Sequence, residues 1–145
     1  GELALGWHHE SYDDDAFKPL NAMTIDGNVL WAPTELTNFT LRAATYVDPT
    51  TDPSSAGSIV YDIGLKAQHA LRRNLTLDAD LGYQYQKYEG INAADATYEA
   101  GFGVTWKINR SAWVVGRFQQ EYYKSATPGG DYPTTTVTVG LRLQR

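Results

Sequence analysis

The chain has 145 residues, about the size of one domain, with 12 basic and 17 acidic side chains, a net charge of -5 and no cysteine. This charge balance argues against a nucleic-acid partner, which normally requires a basic face, and the lack of cysteine excludes disulfides and thiolate metal sites. The chain contains no run of about 18 apolar residues, so the sequence excludes a membrane-spanning helix.

The first third of the chain contains three segments in which apolar and polar residues alternate. This two-residue period is typical of a β-strand whose two faces meet different surroundings. The apolar positions are Leu3, Leu5 and Trp7, then Met23, Ile25 and Val29, then Phe39, Leu41 and Ala43. We predict a strand at each of these three segments.

The remaining chain repeats the alternation in five further segments. In Asn74 to Tyr85, every odd position from 75 is apolar, while the even positions include Asp78 and Asp80. Similar rows are formed by residues 59 to 68, 98 to 108, 114 to 122 and 136 to 144. The sequence therefore predicts eight strands of roughly ten residues each.

The predicted connections between strands are alternately short and long. Short turns are predicted near 32–38, 71–74 and 108–111, and long loops rich in Asp, Gly, Pro, Ser and Thr at 12–21, 47–57, 88–97 and 124–134. All the long loops then lie at one end of the sheet. This arrangement is typical of an outer-membrane β-barrel.

We therefore predict an all-β fold, an up-and-down antiparallel transmembrane β-barrel with eight strands in a single domain over residues 1–145. In hydrocarbon every backbone polar group must be paired within the protein, so strands can cross a bilayer only in a closed barrel. The apolar rows are predicted to face lipid: Ile63, Leu65, Leu75, Leu77, Leu81, Phe102, Val104, Val137, Val139 and Leu141.

Aromatic residues gather near the predicted strand ends, as in the interfacial girdles of membrane barrels. The principal girdle candidates are Trp31, Trp106, Tyr85, Tyr98 and Tyr122. Others fall at the same levels: Phe39 and Trp113 near the short turns, and Tyr12, Tyr46, Tyr88 and Tyr132 near the long loops.

The charged rows are predicted to face the barrel lumen, and both signs are present. They are Asp26, Arg42, Asp62, Lys66, Asp78, Asp80, Glu99, Lys107, Arg117, Glu121 and Arg142. Counting across the turn at 71–74 places Lys66 opposite Asp78, so that the two would form an ion pair. Charges in a narrow interior are costly unless paired, and glycines on the same rows would leave room for long Arg and Lys side chains.

The competing interpretation is a soluble lipocalin-like barrel or β-sandwich, whose strands also alternate. Its inward face would be the apolar one, and its interior would rarely contain such regular rows of charge. The two interpretations share the same strands and differ in which face is inside.

Four pieces of the chain carry a family resemblance: LWAPTELTNFTLRAA, HALRRNLTLDADLGYQYQKYEG, GVTWKINRSAWVVGRF and the ending VTVGLRLQR. They resemble the C-terminal part of a family of uncharacterised β-barrel porins of proteobacterial outer membranes. The resemblance implies a Gram-negative outer-membrane location and a β-barrel, with no established substrate. Members of that family usually have longer chains with more strands, so both a closed eight-stranded barrel and part of a wider barrel stay open.

No catalytic constellation is found, so we predict that the chain is not an enzyme and has no metal or other cofactor. A small-barrel acyltransferase or deacylase would need a placed Ser and His pair, and none is seen. We predict a structural or porin-like outer-membrane protein with acidic extracellular loops. Its expected partner is outer-membrane lipid, and the alternative function is a surface module whose loops bind polysaccharide or another envelope protein.

Overall fold

The computed structural model describes residues 1–10, 20–48, 57–89 and 93–143, which form one antiparallel sheet. Neighbouring strands pair in sequence order, so the predicted eight antiparallel up-and-down strands are confirmed. In this part of the chain, no helix is long and apolar enough to cross a membrane. The strands are β1 (Glu2–Glu10), β2 (Leu20–Thr34), β3 (Thr37–Asp48), β4 (Gly57–Arg72), β5 (Leu75–Glu89), β6 (Ala93–Lys107), β7 (Ala112–Lys124) and β8 (Tyr132–Leu143).

The strands contain 9 to 16 residues, and most are longer than the predicted ten. The long loop predicted at 88–97 is wrong, because β5 continues to Glu89 and β6 begins at Ala93. The Ala, Asp and Thr residues of this segment were interpreted as loop formers, yet backbone pairing with β5 holds them in the sheet. The loops predicted at 12–21 and 47–57 lie mostly outside the described residues.

The three predicted short turns are confirmed at residues 35–36, 73–74 and 108–111. The last of them is closed by a side chain, since Asn109 Oδ1 accepts hydrogen bonds from the backbone N–H groups of Ser111 and Ala112, both at 2.8 Å. An Asn that replaces backbone partners in this way is typical of a tight turn.

The predicted opposition of Lys66 and Asp78 is wrong by two residues. Lys66 pairs in register with Asp80, and Asp78 pairs with Gln68. The tight turn lies at residues 73–74, later than the assumed centre, and the register shifts between Ala70 and Arg72. A β-bulge of this kind cannot be counted from the sequence alone.

The register keeps the alternation in phase across the sheet, so that residues of one parity share a face. We call the two sides the apolar face and the polar face. The apolar face is open to the surroundings: Leu81 is 61% exposed and Val139 is 77% exposed. On the polar face, the side chains of Asp78 and Asp80 are only 17% and 18% exposed.

The apolar rows therefore do not pack against one another to form a central core. In the described part of the chain, the buried hydrophobic residues are Ala22, Ile59 and Val60, near the long-connection end of the sheet. A soluble barrel or sandwich would instead bury its apolar rows.

The sheet is not closed within the described residues, because β1 and β8 pair only with β2 and β7, respectively. All twelve residues of β8 are exposed, on both faces. The structure thus confirms the strands and their order, and in the part of the chain that it describes it does not show the predicted closure of the sheet into a barrel.

The register can be tested with engineered cysteines, since the chain has none of its own. Ala67 and Ala79 lie directly opposite each other on the apolar face. Their α-carbons are expected to be about 4.5 to 5.5 Å apart, within disulfide range. The double variant Ala67→Cys/Ala79→Cys should form an intramolecular disulfide on mild oxidation, measured by mass and by gel migration without reductant.

The matched control is Ala67→Cys/Leu77→Cys, in which the second cysteine is displaced by two residues along β5, on the same face, so that the α-carbons are about 7 to 8 Å apart. It should crosslink much more slowly. Faster crosslinking in the control than in the test pair would contradict the register.

Candidate site on the polar face

All eleven charged residues predicted for one side of the sheet do lie on the polar face. The pairing brings them together across β2 to β8, because directly opposed residues point to the same side. They are Asp26, Arg42, Asp62, Lys66, Asp78, Asp80, Glu99, Lys107, Arg117, Glu121 and Arg142. In the described residues of β3 to β8, the positions of the apolar face that carry Lys, Arg, Asp or Glu all lie near the ends of the strands.

The centre of the polar face is an ion cluster formed by Arg117 with two carboxylates. Arg117 Nη1 lies 3.3 Å from Asp78 Oδ2, and Arg117 Nη2 lies 2.8 Å from Asp80 Oδ1. One guanidinium thus donates to two different carboxylates, which is the geometry that a planar fork of donors allows. The counter-ion of Asp78 is therefore Arg117 of β7, and not Lys66 as predicted, and Arg117 is also the counter-ion of Asp80.

Two glycines of β6 make this contact possible across an intervening strand. Gly103 lies between Asp78 and Arg117 in the register, and Gly101 lies beside Asp80. A methyl group at position 101 would lie 2.5 Å from Asp80 Oδ2, and one at position 103 would lie even closer to Asp78. The glycines therefore leave room for the aspartates, and not only for the Arg and Lys side chains as predicted.

A groove of about 330 Å³ adjoins the ion cluster on the same face. Its polar lining comes from Asn28, Thr40, Arg42, Asp62, Lys66, Asp80 and Glu99. Glu99 accepts a hydrogen bond from Gln119 Nε2. The groove thus contains both signs of charge, together with neutral hydrogen-bonding groups.

A second polar cluster lies at the long-connection end and was missed by sequence reasoning. Asp95 is 8% exposed and accepts hydrogen bonds from Tyr88 Oη at 2.8 Å and from the backbone N–H of Ala126 at 2.7 Å. Asp131 Oδ1 accepts from the backbone N–H of Ser125 at 2.8 Å. Asp95 thus anchors the connection between β7 and β8 to the sheet. Its position in a segment interpreted as loop hid this role.

A third cluster lies at the short-turn end, around Trp113. Lys107 Nζ lies 4.8 Å from the centre of the indole ring, and Arg142 Cζ lies 5.9 Å from it. Both distances are typical of cation–π contacts. Trp113 therefore lies on the polar face and not in an aromatic girdle. The same holds for Tyr46, Tyr88 and Tyr132, because their parity matches the charged rows.

The five principal girdle candidates and the ten predicted lipid-facing residues all lie on the apolar face. Near the short turns, Trp31 stacks on Phe39 with ring centres 5.3 Å apart. Toward the other end, Tyr83 and Tyr98 contact each other at 5.1 Å, and Tyr98 pairs in register with Tyr122. The apolar face thus carries one aromatic group toward each end, while Phe102 and Phe118 pair with each other in the middle of the sheet.

Removal of the Arg117 guanidinium should destabilise the fold by leaving two sheltered carboxylates without a counter-ion. Because the Arg117 side chain is 37% exposed, we expect Arg117→Ala to lower the free energy of unfolding by about 1 to 2 kcal/mol, below the cost for a fully buried pair. Urea unfolding in detergent measures this value. Arg42→Ala is the control, with a change within about 0.5 kcal/mol. Equal losses in both variants would contradict the role of the cluster.

Asp95→Ala should release the connection between β7 and β8 from the sheet. Loss of the carboxylate removes the acceptor of the Ala126 amide, so exchange of that amide hydrogen should accelerate about tenfold. Hydrogen exchange followed by NMR provides the measurement. The amide of Ile108, bonded to Ala112 O at 3.0 Å at the opposite end, should keep its rate. Unchanged exchange at Ala126 would show that Asp95 does not hold this connection.

Comparisons with known proteins agree with the sequence and the sheet. Searches of curated proteins and of solved structures found no match. A family model described as Putative beta-barrel porin 2 matches residues 1–145, which confirms the porin-family resemblance drawn from the sequence. The chain belongs to the Putative beta-barrel porin 2 family.

Proposed function

We propose that the chain is part or all of an outer-membrane β-barrel porin, with the apolar face toward lipid and the polar face toward the lumen. The observation that carries this proposal is the inverted burial of the sheet. Large side chains of the aliphatic rows such as Leu65, Leu81 and Val139 are exposed, whereas Asp78, Asp80 and Arg117 are partly sheltered and paired. Hydrocarbon is the surrounding that favours such a distribution.

In a membrane, the edges of β1 and β8 that are unpaired in the described residues would need backbone partners. An exposed row of backbone N–H and C=O groups costs several kcal/mol for each unsatisfied group in hydrocarbon. In a membrane these two edges must therefore join each other or further strands. Closure at eight strands would leave an interior filled by side chains, and a wider barrel would leave an aqueous channel.

The spacing of the aromatic groups supports a bilayer-sized apolar band. On β6, Tyr98 and Trp106 share the apolar face and are separated by eight residues, or about 27 Å along a strand. A strand tilt of about 40° reduces this to a height of about 21 Å, close to the band of about 25 Å found in membrane barrels. The two aromatic groups would then lie at the two interfaces.

The lumen would be lined by the eleven charged residues of the polar face, together with threonine, glutamine and glycine. Selectivity in such pores depends on the sign and pairing of the lining charges. The function proposed is passage or exclusion of solutes by this lining, without a catalytic step.

Two neighbouring positions in β8 test which face meets lipid. Val139 and Thr138 are both exposed and differ in face. In a bilayer, Val139→Arg should cost about 2 to 4 kcal/mol, because the charge would enter hydrocarbon. Thr138→Arg should cost far less. Folding into lipid vesicles, followed by heat-modifiable gel migration and tryptophan fluorescence, measures both.

A soluble protein with this sheet would tolerate both substitutions, since both side chains already lie in solvent. Equal folding of the two variants in vesicles, or full folding of the wild type without lipid or detergent, would contradict the proposed function.

A further inference from the structure

We propose that Arg42 and Lys66 form a binding subsite for the oxyanion of a small solute, and that Gly101 keeps this subsite available by directing Asp80 toward Arg117. The inference rests on the proposed function, in which the polar face lines the lumen. It adds a ligand class and a positioning residue that neither the family nor the burial pattern assigns.

The register alone would predict that Lys66 is neutralised. Lys66 lies directly opposite Asp80, and opposite charges in this position normally attract each other. The Asp80 carboxylate nevertheless leans the other way, to within 2.8 Å of Arg117 on β7. It does so across Gly101, where a methyl group would meet it at 2.5 Å.

Lys66 is consequently left without a counter-ion, and so is Arg42. In the described residues, the side chains of Arg42 and Lys66 make no ion pair and no hydrogen bond, and both are exposed. The other three cations predicted for the polar face are engaged, Arg117 with carboxylates and Lys107 and Arg142 with Trp113. The two free cations therefore stand out from the rest of the polar face.

The two cations are also close enough to act on one ligand. Arg42 pairs in register with Gly64, two residues from Lys66 on β4, so their backbones are diagonal neighbours about 7 to 8 Å apart. Both line the groove of about 330 Å³, which is within the size range of small-molecule sites. An oxyanion between them would receive the planar fork of Arg42 and the ammonium of Lys66.

The remaining lining indicates what else the ligand carries. Asp62 and Glu99 are hydrogen-bond acceptors, and Asn28 and Thr40 can both donate and accept. Hydroxyl groups are the partners that suit such a mixed set, since they donate to carboxylates without adding charge. The ligand class is therefore a hydroxylated carboxylate or phosphate.

The direct test is binding by the full chain folded in detergent micelles. Gluconate and inorganic phosphate are the probes, glucose is the uncharged control, and the NMR shifts of Lys66 Nζ and Arg42 Nε are the readout. Arg42→Gln and Lys66→Gln should each weaken gluconate binding roughly two- to fivefold. No shift in the wild type, or equal affinities in the variants, would overturn the proposal. Binding of phosphate without gluconate would overturn the hydroxyl part of the ligand class.

The role of Gly101 is tested by returning the aspartate to Lys66. Gly101→Ala should weaken gluconate binding by a similar factor, because the added methyl displaces the Asp80 carboxylate from its path to Arg117. The double variant Gly101→Ala/Asp80→Asn should regain wild-type affinity, since the displaced group is then uncharged. Gly140→Ala is the matched control, as a methyl there meets nothing within 4 Å. Failure of Asp80→Asn to restore binding in the Gly101→Ala background would overturn the positioning role.

Channel measurements separate this inference from the proposed function. In planar bilayers with a salt gradient, Lys66→Gln should lower the chloride-to-potassium permeability ratio roughly two- to fivefold. Conductance with an unchanged ratio would overturn the subsite and leave the porin function intact. Micelle binding without any conductance would support the subsite and count against the porin function.

Discussion

Strict preservation of side-chain parity across the sheet is the constraint on which the rest of the structure depends. A slip of one residue in any strand would move its charges to the apolar face and its aliphatic side chains to the polar face. The register irregularities are found next to short turns, between Trp31 and Thr34 and between Ala70 and Arg72. The central rows therefore remain aligned from β2 to β8, and each face has a single chemical character.

The polar face shows how charges can be satisfied in a sheet without pairing between neighbouring strands. Asp78 and Asp80 both reach past the strand next to them, and the missing side chains of Gly101 and Gly103 provide the path. The arrangement concentrates two negative charges on one guanidinium and leaves positive charge elsewhere on the same face. Gly101 and Gly103 thus allow Arg117 to neutralise Asp78 and Asp80, and the path across Gly101 also leaves Lys66 without its directly opposed carboxylate.

Much of the fold could be predicted from the sequence because alternation is a local signal. Eight strands, three short turns and the shared face of the eleven predicted charged residues follow from the parity of rows such as 75–85. The face of Trp113 could also have been read from parity, had proximity to a turn not been given more weight. Extension of β6 back to Ala93 was missed, since its polar residues resemble a loop until pairing with β5 is considered.

The ion cluster could not be predicted, because it depends on contacts between strands that are not adjacent. The partner of Asp80 requires the register of two strand pairs and the direction in which a carboxylate leans over a glycine. Neither quantity is present in a single sequence. The same applies to Asp95, whose partner Ala126 lies 31 residues away in a connection.

The polar side of β8 differs from that of the strands before it. It is a ladder of short hydroxyls, Thr134, Thr136 and Thr138, that ends at Gly140 and Arg142. Such side chains extend only a few ångströms from the backbone, while the long ionic groups project from β3 to β7. In a closed barrel the interior along the final strand would therefore be roomier and less charged than along β3 to β7, so that its side chains would displace less water there.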